Sequence, residues 1–394
     1  MTNLPQGWEW KSLGEICFIT DGTHKTPNYI ETGIPFLSVK NISKGFFDLS
    51  DVKYISLEEH NKLIKRAKPE FEDILICRIG TLGKAIKISL EFEFSIFVSL
   101  GLLKPKVKII SDYLVYFLNS YFIEGWINDN KVGGGTHTAK LNLNILEKCP
   151  IALPPLKEQE RIVGILDESF AKIDESIKIL EQDLLNLDEL MQSALQKAFN
   201  PLKDNVKENY KLPQSWEWKS LEEISENISA GGDKPKNCTE SKTAKNQIPV
   251  YANGVNNNGL VGYTDKATII KPSLTISARG TIGFVCIRKE PYFPIVRLIS
   301  LIPCENILCL HYLYFCLNFF IAKGEGSSIP QLTIPKFKSL QIPLPPLKEQ
   351  EQIAEHLDFV FEKAKALKEL YTKELKDYEE LKQSLLNKAF KGEL

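Results

Sequence analysis

The chain contains few of the residues from which metal sites, disulfides and membrane spans are built. Its 394 residues include 5 histidines, 2 methionines and 8 scattered cysteines, with no Cys-x-x-Cys pair. Cys304, Cys309 and Cys316 lie in an apolar stretch. Because no histidine pair stands at metal-ligand spacing either, we predict no metal site and reduced cysteines of the ordinary core type.

Long apolar runs are also missing. No stretch approaches the roughly 18 apolar residues of a membrane helix, and the start Met1-Thr-Asn-Leu-Pro5 lacks the basic and apolar regions of a signal peptide. A composition of 43% hydrophobic and 25% charged residues is typical of globular proteins, and the length suits two or three domains. We therefore expect a cytoplasmic protein.

Overall charge is nearly absent, since the net charge is −1. The segments differ: residues 1–152 carry net +1 and residues 209–343 carry net +5, whereas residues 153–208 carry −5 and residues 344–394 carry −2. Neutral-to-basic segments suit contact with phosphates, and acidic segments suit some other partner. A mild excess of lysine is, however, also typical of an ordinary solvated face.

The motifs of known catalytic and nucleotide-binding sites are also missing from the sequence. Asn200-Pro-Leu-Lys203 is not the Asn/Asp-Pro-Pro-aromatic turn of an adenine methyltransferase. Gly80-Thr-Leu-Gly-Lys84-Ala85 has the wrong spacing for a nucleotide-binding loop. Glu70, Glu72 and Asp73 are followed by no suitably placed lysine for a metal-dependent nuclease. We predict that the chain alone has no catalytic residues.

What the chain does contain is an internal repeat. Leu153-Pro-Pro-Leu-Lys-Glu-Gln-Glu160 returns as Leu344-Pro-Pro-Leu-Lys-Glu-Gln-Glu351, and Gln192–Phe199 returns, with changes, as Gln383–Phe390 at the same offset of 191. Two further repeats have other offsets: Leu4–Leu13 and Leu212–Leu221 are 208 apart, and Gly80–Gly83 and Gly280–Gly283 are 200 apart. The segments with a constant offset are conserved in length, whereas the segments between them have diverged.

Each Leu-Pro-Pro copy opens a segment with the 3-4 apolar spacing of a coiled coil, and the prolines suit a helix start. The predicted helix-helix seam is Leu166, Phe170, Ile173, Ile177, Leu180, Leu184, Leu187, Met191, Leu357, Phe361, Tyr371, Leu375, Tyr378 and Leu385. Lys368 and Lys382 also fall on this seam. We expect the apolar stripe to shift toward Leu367, Leu370 and Leu381; the alternative is that the lysines extend to the surface.

The chain order favours an α+β protein in which two mixed domains with curved sheets are joined by two long antiparallel coiled-coil helices in a pseudo-twofold arrangement. Helices of about 44 residues would be on the order of 66 Å long. The predicted parts are a first globular domain (1–152), a first helix (153–200), a linker (201–211), a second globular domain (212–343) and a second helix (344–394).

Residues suited to binding DNA lie in glycine- and asparagine-rich loops of both domains. Arginine and lysine favour guanine edges and phosphates, and asparagine favours adenine. The candidates are Lys25, Lys40, Asn41, Lys44, Arg78, Thr81, Lys84, Thr136, His137, Lys140, Lys234, Lys236, Asn253, Asn256, Arg279, Thr281, Ser327 and Ser328.

The paired Leu-Pro-Pro-Leu-x-Glu-Gln segments, the Lys-Ala-Phe helix ends and the terminal Gly392-Glu-Leu394 resemble the specificity subunit of type I restriction-modification enzymes. The resemblance covers the whole chain and is weak inside the domains. It implies that each domain reads one half of a split, asymmetric DNA site and that the helices dock two modification subunits and, in turn, restriction subunits. It places S-adenosylmethionine, ATP and Mg on those partners and no cofactor in this chain.

Two other functions stay open from the sequence. One is a self-contained DNA-processing enzyme with an unfamiliar site, and the other is a coiled-coil adaptor without DNA affinity. The resemblance adds a mechanical expectation: because the helices would set the unread spacer between half-sites, deleting four residues from a helix should shift the spacer by at least about one base pair.

Overall fold

The computed structural model describes residues 4–134, 139–199, 213–321, 324–325 and 332–394. The first part of the chain is α+β and ends in a long helix. Its elements are β1 (Glu9–Ser12), α1 (Leu13–Ile16), β2 (Cys17–Asp21), β3 (Ile34–Leu37), β4 (Lys53–Ile55), α2 (Leu57–Leu63), β5 (Ile74–Cys77), β6 (Ala85–Lys87), β7 (Ser95–Ile96), β8 (Leu100–Pro105), α3 (Ser111–Leu118), α4 (Tyr121–Asn130), α5 (Leu143–Leu146), β9 (Pro150–Leu153) and α6 (Leu156–Phe199).

The second part repeats this order. Its elements are β10 (Glu217–Ser220), α7 (Leu221–Ile224), β11 (Ser225–Ala230), β12 (Ile248–Tyr251), β13 (Leu260–Thr264), β14 (Ser273–Ile276), β15 (Thr281–Ile282), β16 (Val285–Arg288), β17 (Phe293–Pro294), β18 (Ile299–Pro303), α8 (Leu310–Phe320), β19 (Gly324–Glu325), α9 (Ile334–Lys338), β20 (Gln341–Leu344) and α10 (Leu347–Lys391).

The chain divides into two compact units inside the long helices. Unit 1 is Met1–Leu180 with Lys373–Leu394, and unit 2 is Glu181–Thr372. Each unit therefore holds one sheet domain, one half of α6 and one half of α10. The predicted α+β class and the two long helices are confirmed. None of the helices within the described ranges is long and apolar enough to span a membrane.

Two sheets build the domain of unit 1. A four-stranded antiparallel sheet has the order β2-β8-β5-β6, and a three-stranded sheet has the order β4-β3-β7. All four residues of β5 are buried because alternate side chains enter different cores. Ile74 and Ile76 pack toward α3 and the long helices, whereas Leu75 and Cys77 pack toward the three-stranded sheet.

Unit 2 contains the same pair of sheets. Their orders are β11-β18-β14-β16 and β13-β12-β17. In both units a two-stranded ribbon (β1 with β9, and β10 with β20) directly precedes the long helix. A Ser–Glu capping box starts the short helix after the first strand of each ribbon, at Ser12–Glu15 and Ser220–Glu223, which supplies acceptors to otherwise unpaired N–H groups.

Within each unit the beginning of one long helix packs beside the end of the other. In unit 1, Ile162 and Leu166 of α6 share a core with Leu386 and Ala389 of α10. In unit 2, Leu195 and Phe199 share a core with Ala354 and Leu357. Because starts meet ends, the helices run antiparallel in both units.

The predicted seam residues lie on the sheltered face of the helices. Leu166, Ile173, Leu180, Leu187 and Leu357 are buried. The others are half-buried; they are Phe170, Ile177, Leu184, Met191, Phe361, Tyr371, Leu375, Tyr378 and Leu385.

The expected shift of the stripe is wrong. Leu367, Leu370 and Leu381 are exposed. Lys368 and Lys382 stay on the seam and are half-buried, and their ammonium groups form ion pairs with Asp188 and Asp174 of α6. A long aliphatic stem lets each lysine fill a seam position while its charge reaches the helix border.

Candidate nucleic-acid interface

Several polar loops of unit 1 leave from one edge of the four-stranded sheet. The register pairs Asp21 with Gly101, Cys77 with Leu100, and Ile76 with Ala85. The end of β2, the start of β8, the end of β5 and the start of β6 therefore meet at one edge, because neighbouring strands are antiparallel. The loops that leave this edge contain four of the predicted DNA-binding residues of unit 1, which are Lys25, Arg78, Thr81 and Lys84.

Unit 2 repeats this edge. Ala230 pairs with Ile299, and Ile276 pairs with both Ile299 and Val285. The loops that follow carry residues 231–236, 277–284 and 296–298. The two units therefore present equivalent sheet edges with different side chains.

Three segments of unit 1 lie side by side at the edge. The Lys84 side chain covers Gly45, where an added Cβ would lie 2.9 Å from Lys84 Cε. Val39 lies against Gly80, and Lys140 pairs through its backbone with Ile79. Lys40, Lys44, Thr81 and Lys140 are exposed and Lys84 is half-buried. These segments bring four lysines to the same part of the edge, and one of them, Lys44, also pairs with Asp48 at 2.7 Å.

Three of the predicted DNA-binding residues form side-chain hydrogen bonds or ion pairs within the protein. Asn41 is buried, its Oδ1 accepts from Ser38 N at 2.9 Å and its Nδ2 donates to Asp48 O at 3.1 Å. Asn253 accepts from Ala278 N at 2.8 Å and donates to Val296 O at 2.6 Å. In this geometry their amides hold loops in place, and the adenine-reading pattern of asparagine is not presented.

Arg78 is the third of these residues. It is buried at 8% exposure. Its Nε donates to Leu141 O at 2.9 Å, and its guanidinium forms an ion pair with Asp21. The buried ion pair joins the end of β2 to the loop after β5, so Arg78 fixes the edge and does not project from it.

Asp21 is the centre of a buried charge cluster. Its carboxylate forms ion pairs with Arg78 and Arg66, and His24 Nε2 lies 3.1 Å from Asp21 Oδ2. Burial opposes ionisation, but the hydrogen bond from Arg66 and the charges of Arg78 and Arg66 outweigh it, so the pKa of Asp21 lies below its ordinary value. The carboxylate therefore stays ionised and orients two arginines.

In unit 2, Lys234, Lys236 and Asn256 are exposed, and Arg279 and Thr281 are half-buried. Thr136, His137, Ser327 and Ser328 lie outside the described residues. No motif in the sequence marks Arg66 or Arg297 as a DNA-binding residue. Val296 and Arg297 form an exposed turn with φ of 54° and 59°, a region that is costly for a β-branched residue such as Val296.

The turn is held by the neighbouring glycine loop. Val296 N donates to Gly232 O and Arg297 N donates to Gly231 O, both at 2.8 Å. Gly231 permits this approach, since an added Cβ would lie 2.6 Å from Ile295 N. The exposed Arg297 is thus placed beside the loop that carries Lys234.

The repeated Leu-Pro-Pro-Leu-Lys-Glu-Gln segment attaches each domain to its helix. Buried Gln159 accepts from Ile110 N at 3.0 Å and donates to Pro154 O at 2.8 Å. Buried Gln350 accepts from Cys309 N at 2.9 Å and donates to Pro345 O at 2.8 Å. Each glutamine joins the start of the long helix to the loop before the main domain helix.

The repeated Lys-Ala-Phe ends are a second attachment. Phe390 packs against Tyr113 and Phe117 with ring centroids 5.7 and 4.9 Å apart. Phe199 packs against Tyr312 at 5.6 Å. Each long helix therefore starts at one domain and inserts its final phenylalanine into the core of the unit that contains the other domain.

The described residues show no metal-binding group of three or more His, Cys, Asp or Glu side chains. All eight cysteines are unpaired. Burial raises the pKa of Cys17, Cys77 and Cys149 to about 12, so these thiols are not thiolates near neutral pH.

Comparison with known proteins gives a consistent family. The model of the type I restriction modification DNA specificity domain matches residues 5–184 and, again, residues 213–376. A protein of Mycoplasma pneumoniae named as a type I specificity subunit is 31% identical over 272 residues, which cover 68% of this chain and 69% of that protein. The StySPI specificity subunit of Salmonella potsdam is 25% identical over 99% of this chain and 90% of its own length.

A solved chain gives the same fold. It comes from work on complex assembly and conformational transition of the type I R-M system, and it superposes with a TM-score of 0.83 at 21% identity over 100% of both chains. At this identity the likeness establishes the fold.

Proposed function

This chain belongs to the type I restriction-modification DNA specificity family, and on that premise we propose that each unit reads one half of a bipartite, asymmetric DNA site. The observation that carries the proposal is the pair of equivalent sheet edges, one in each unit, with different polar side chains. Equivalent scaffolds with different side chains suit half-sites of different sequence, because base edges are read by side-chain geometry.

The charge distribution supports the same assignment. The domains are neutral to basic and the helical segments are acidic, so phosphates are attracted to the domains and repelled from the helices. The long helices therefore provide the surface for protein partners. We assign these partners as two modification subunits and, through them, the restriction subunits.

The chain itself is the non-catalytic subunit and acts in the cytoplasm. In this proposal the modification subunits bring S-adenosylmethionine and methylate adenine, and the restriction subunits bring ATP and Mg for translocation and cleavage. In this proposal the helices also set the length of the unread spacer, because the glutamine and phenylalanine attachments join each long helix to a domain core at either of its ends.

Mapping of methylated adenine tests this proposal. The chain is expressed with its modification subunits in a host without adenine methylation, and the genome is sequenced with a method that detects the modified base. We expect two half-sites separated by a spacer of constant length. Replacing residues 213–321 with the equivalent part of another family member should change one half-site and leave the other.

Two controls separate the alternatives. The pure chain with S-adenosylmethionine, Mg and DNA should neither modify nor cut the DNA; activity under these conditions would identify a self-contained enzyme. A complex whose DNA affinity does not depend on salt, or which does not bind DNA, would identify an adaptor, since phosphate contacts make affinity fall steeply with salt.

A further inference from the structure

A pocket of about 570 Å³ lies in unit 2. A second pocket lies at the edge of the four-stranded sheet of unit 1 described above. It has a volume of about 460 Å³ and is lined by Thr23, His24, Lys25, Lys62, Leu63 and Arg66. Four of the six lining side chains are basic. The loop after β2 forms one wall and the end of α2 forms the other.

The buried Asp21 prepares one side of this pocket. It is 1% exposed, it forms an ion pair with Arg66, and Arg66 Nε also donates to Asp21 O at 3.2 Å. The Arg66 side chain is nevertheless 54% exposed. Its guanidinium is therefore fixed on the Asp21 side and keeps donors that face solvent, which lowers the entropy lost when an anion binds.

The remaining basic residues differ in how strongly they are already paired. Lys62 forms an exposed ion pair with Glu58 at 2.8 Å. His24 contacts Asp21 and is 62% exposed. Lys25 is exposed and forms no ion pair with any residue that the structure describes. An unpaired ammonium beside a fixed guanidinium provides two cationic donors for one anion.

The ion pair of Asp21 with Arg78 is not repeated at the equivalent described positions of unit 2. Gly22 follows Asp21 and corresponds to Gly231. Each of these glycines lies against the end of the strand that pairs in parallel within the three-stranded sheet, which is β7 in unit 1 and β17 in unit 2. Ala230 therefore stands where unit 1 has Asp21. Ala278 stands where unit 1 has Arg78, at the repeat offset of 200. The charge cluster belongs to one half of the protein.

We propose that the pocket formed by Thr23, His24, Lys25, Lys62 and Arg66 binds a backbone phosphate of the DNA beside the half-site that unit 1 reads. This inference rests on the proposed function and adds an asymmetric, sequence-independent anchor to it. A phosphate fits better than a base edge, because four of the six lining side chains are basic and the buried Asp21 carboxylate next to them is already paired with Arg66 and Arg78. Phosphate contacts of this kind set the position of a protein on the duplex.

The test uses the complex with its modification subunits and compares Lys25→Gln, Arg66→Gln and Lys65→Gln. Lys65 is an exposed neighbour of Arg66 outside the pocket, so Lys65→Gln makes the same charge change and is the matched control. Lys25→Gln removes no ion pair among the described residues, so it tests the pocket without altering the Asp21 cluster. Affinity is measured between about 50 and 200 mM KCl on a duplex that carries the mapped site and on a scrambled duplex.

We expect Lys25→Gln and Arg66→Gln each to weaken binding about tenfold on both duplexes. Each should also lower the slope of log affinity against log salt by about one, while Lys65→Gln changes neither. Two results overturn the inference: pocket variants that behave like Lys65→Gln, or variants that lose affinity only for the mapped site, which would indicate a base contact. Failure of the proposed function would instead appear in the unsubstituted complex as equal affinity for both duplexes.

Discussion

Gln350 Oε1 accepts a hydrogen bond from the backbone N–H of Cys309 at 2.9 Å. This bond joins the first turn of α10 to the residue that precedes α8. Gln159 forms the equivalent bond with Ile110 before α3. The repeated sequence therefore encodes a repeated joint, in which one amide side chain satisfies a loop N–H and a carbonyl of the Pro-Pro segment.

Replacing this glutamine should weaken the joint. Gln350→Ala leaves Cys309 N and Pro345 O without their side-chain partner in a buried region, and an unmet buried polar group costs about 1–3 kcal/mol. We expect a loss of about 2–4 kcal/mol in the free energy of unfolding, measured with urea, because at least two groups are affected. Gln192→Ala, at an exposed position of α6, is the matched control, and equal stability of both variants would contradict this role.

The Asp21 cluster should be a large and pH-dependent contribution to the stability of unit 1. Asp21→Asn leaves the buried Arg78 without its carboxylate, and removing one partner of a buried pair costs about 3–5 kcal/mol. The pKa of Asp21 is lowered in the folded protein, so its contribution is present above the unfolded value of about 4 and is lost as the pH falls through the folded value.

The measurement is the unfolding free energy of both proteins from pH 7 downward. The difference between the original chain and Asp21→Asn should be constant near neutral pH and shrink below about pH 4. Asp51→Asn is the control, because Asp51 is 74% exposed and pairs with Lys53 at 3.7 Å. A difference that grows on acidification would show the opposite sign and exclude this account.

The helices could be predicted because their signals are local. Pro154 and Pro155 precede α6, the 3-4 apolar spacing continues through it, and it ends at Phe199. The burial of Arg78 could not be predicted, because its partner Asp21 lies 57 positions away along the chain. The sequence around Arg78 does not distinguish it from an arginine that would contact DNA.

The seam lysines show a second limit. Their position in the heptad pattern indicates a conflict with two solutions, and the apolar residues Leu367, Leu370 and Leu381 favour the shift of the stripe, which is the wrong one. The choice depends on Asp174 and Asp188 of the other helix, and therefore on the antiparallel register. Lys368 and Lys382 are 14 residues apart, as are Asp174 and Asp188, so both pairs require the same register.

A charge swap tests that register. Lys382→Glu should lower stability by up to about 1 kcal/mol, and adding Asp174→Lys should recover most of the loss, because the pair is partly exposed and worth about 0.2–1 kcal/mol. The coupling should shrink in 1 M salt, where the screening length is about 3 Å. Lys365→Glu, at a position that is 80% exposed, should show no recovery with Asp174→Lys; recovery there would contradict the observed register.

Matched deletions in both helices test whether they determine the spacer. Residues 178–181 of α6 lie between Asp174 and Asp188, and residues 375–378 of α10 lie between Lys368 and Lys382. Removing four residues from each helix shortens it by about 6 Å and turns its ends by about 40°. One base pair of B-DNA corresponds to about 3.4 Å and about 34°, so a spacer shorter by one to two base pairs fits both changes.

A seven-residue deletion separates length from rotation. Removing residues 178–184 and 372–378 shortens each helix by about 10 Å, close to three base pairs, but turns its ends by only about 20°. Three base pairs turn the DNA by about 100°, so no spacer restores both distance and phase, and we expect methylation to be strongly reduced instead of redirected. Methylation mapping distinguishes these results. The original spacer with altered half-sites, after the four-residue deletion, would show that the domains determine the spacer and the helices do not.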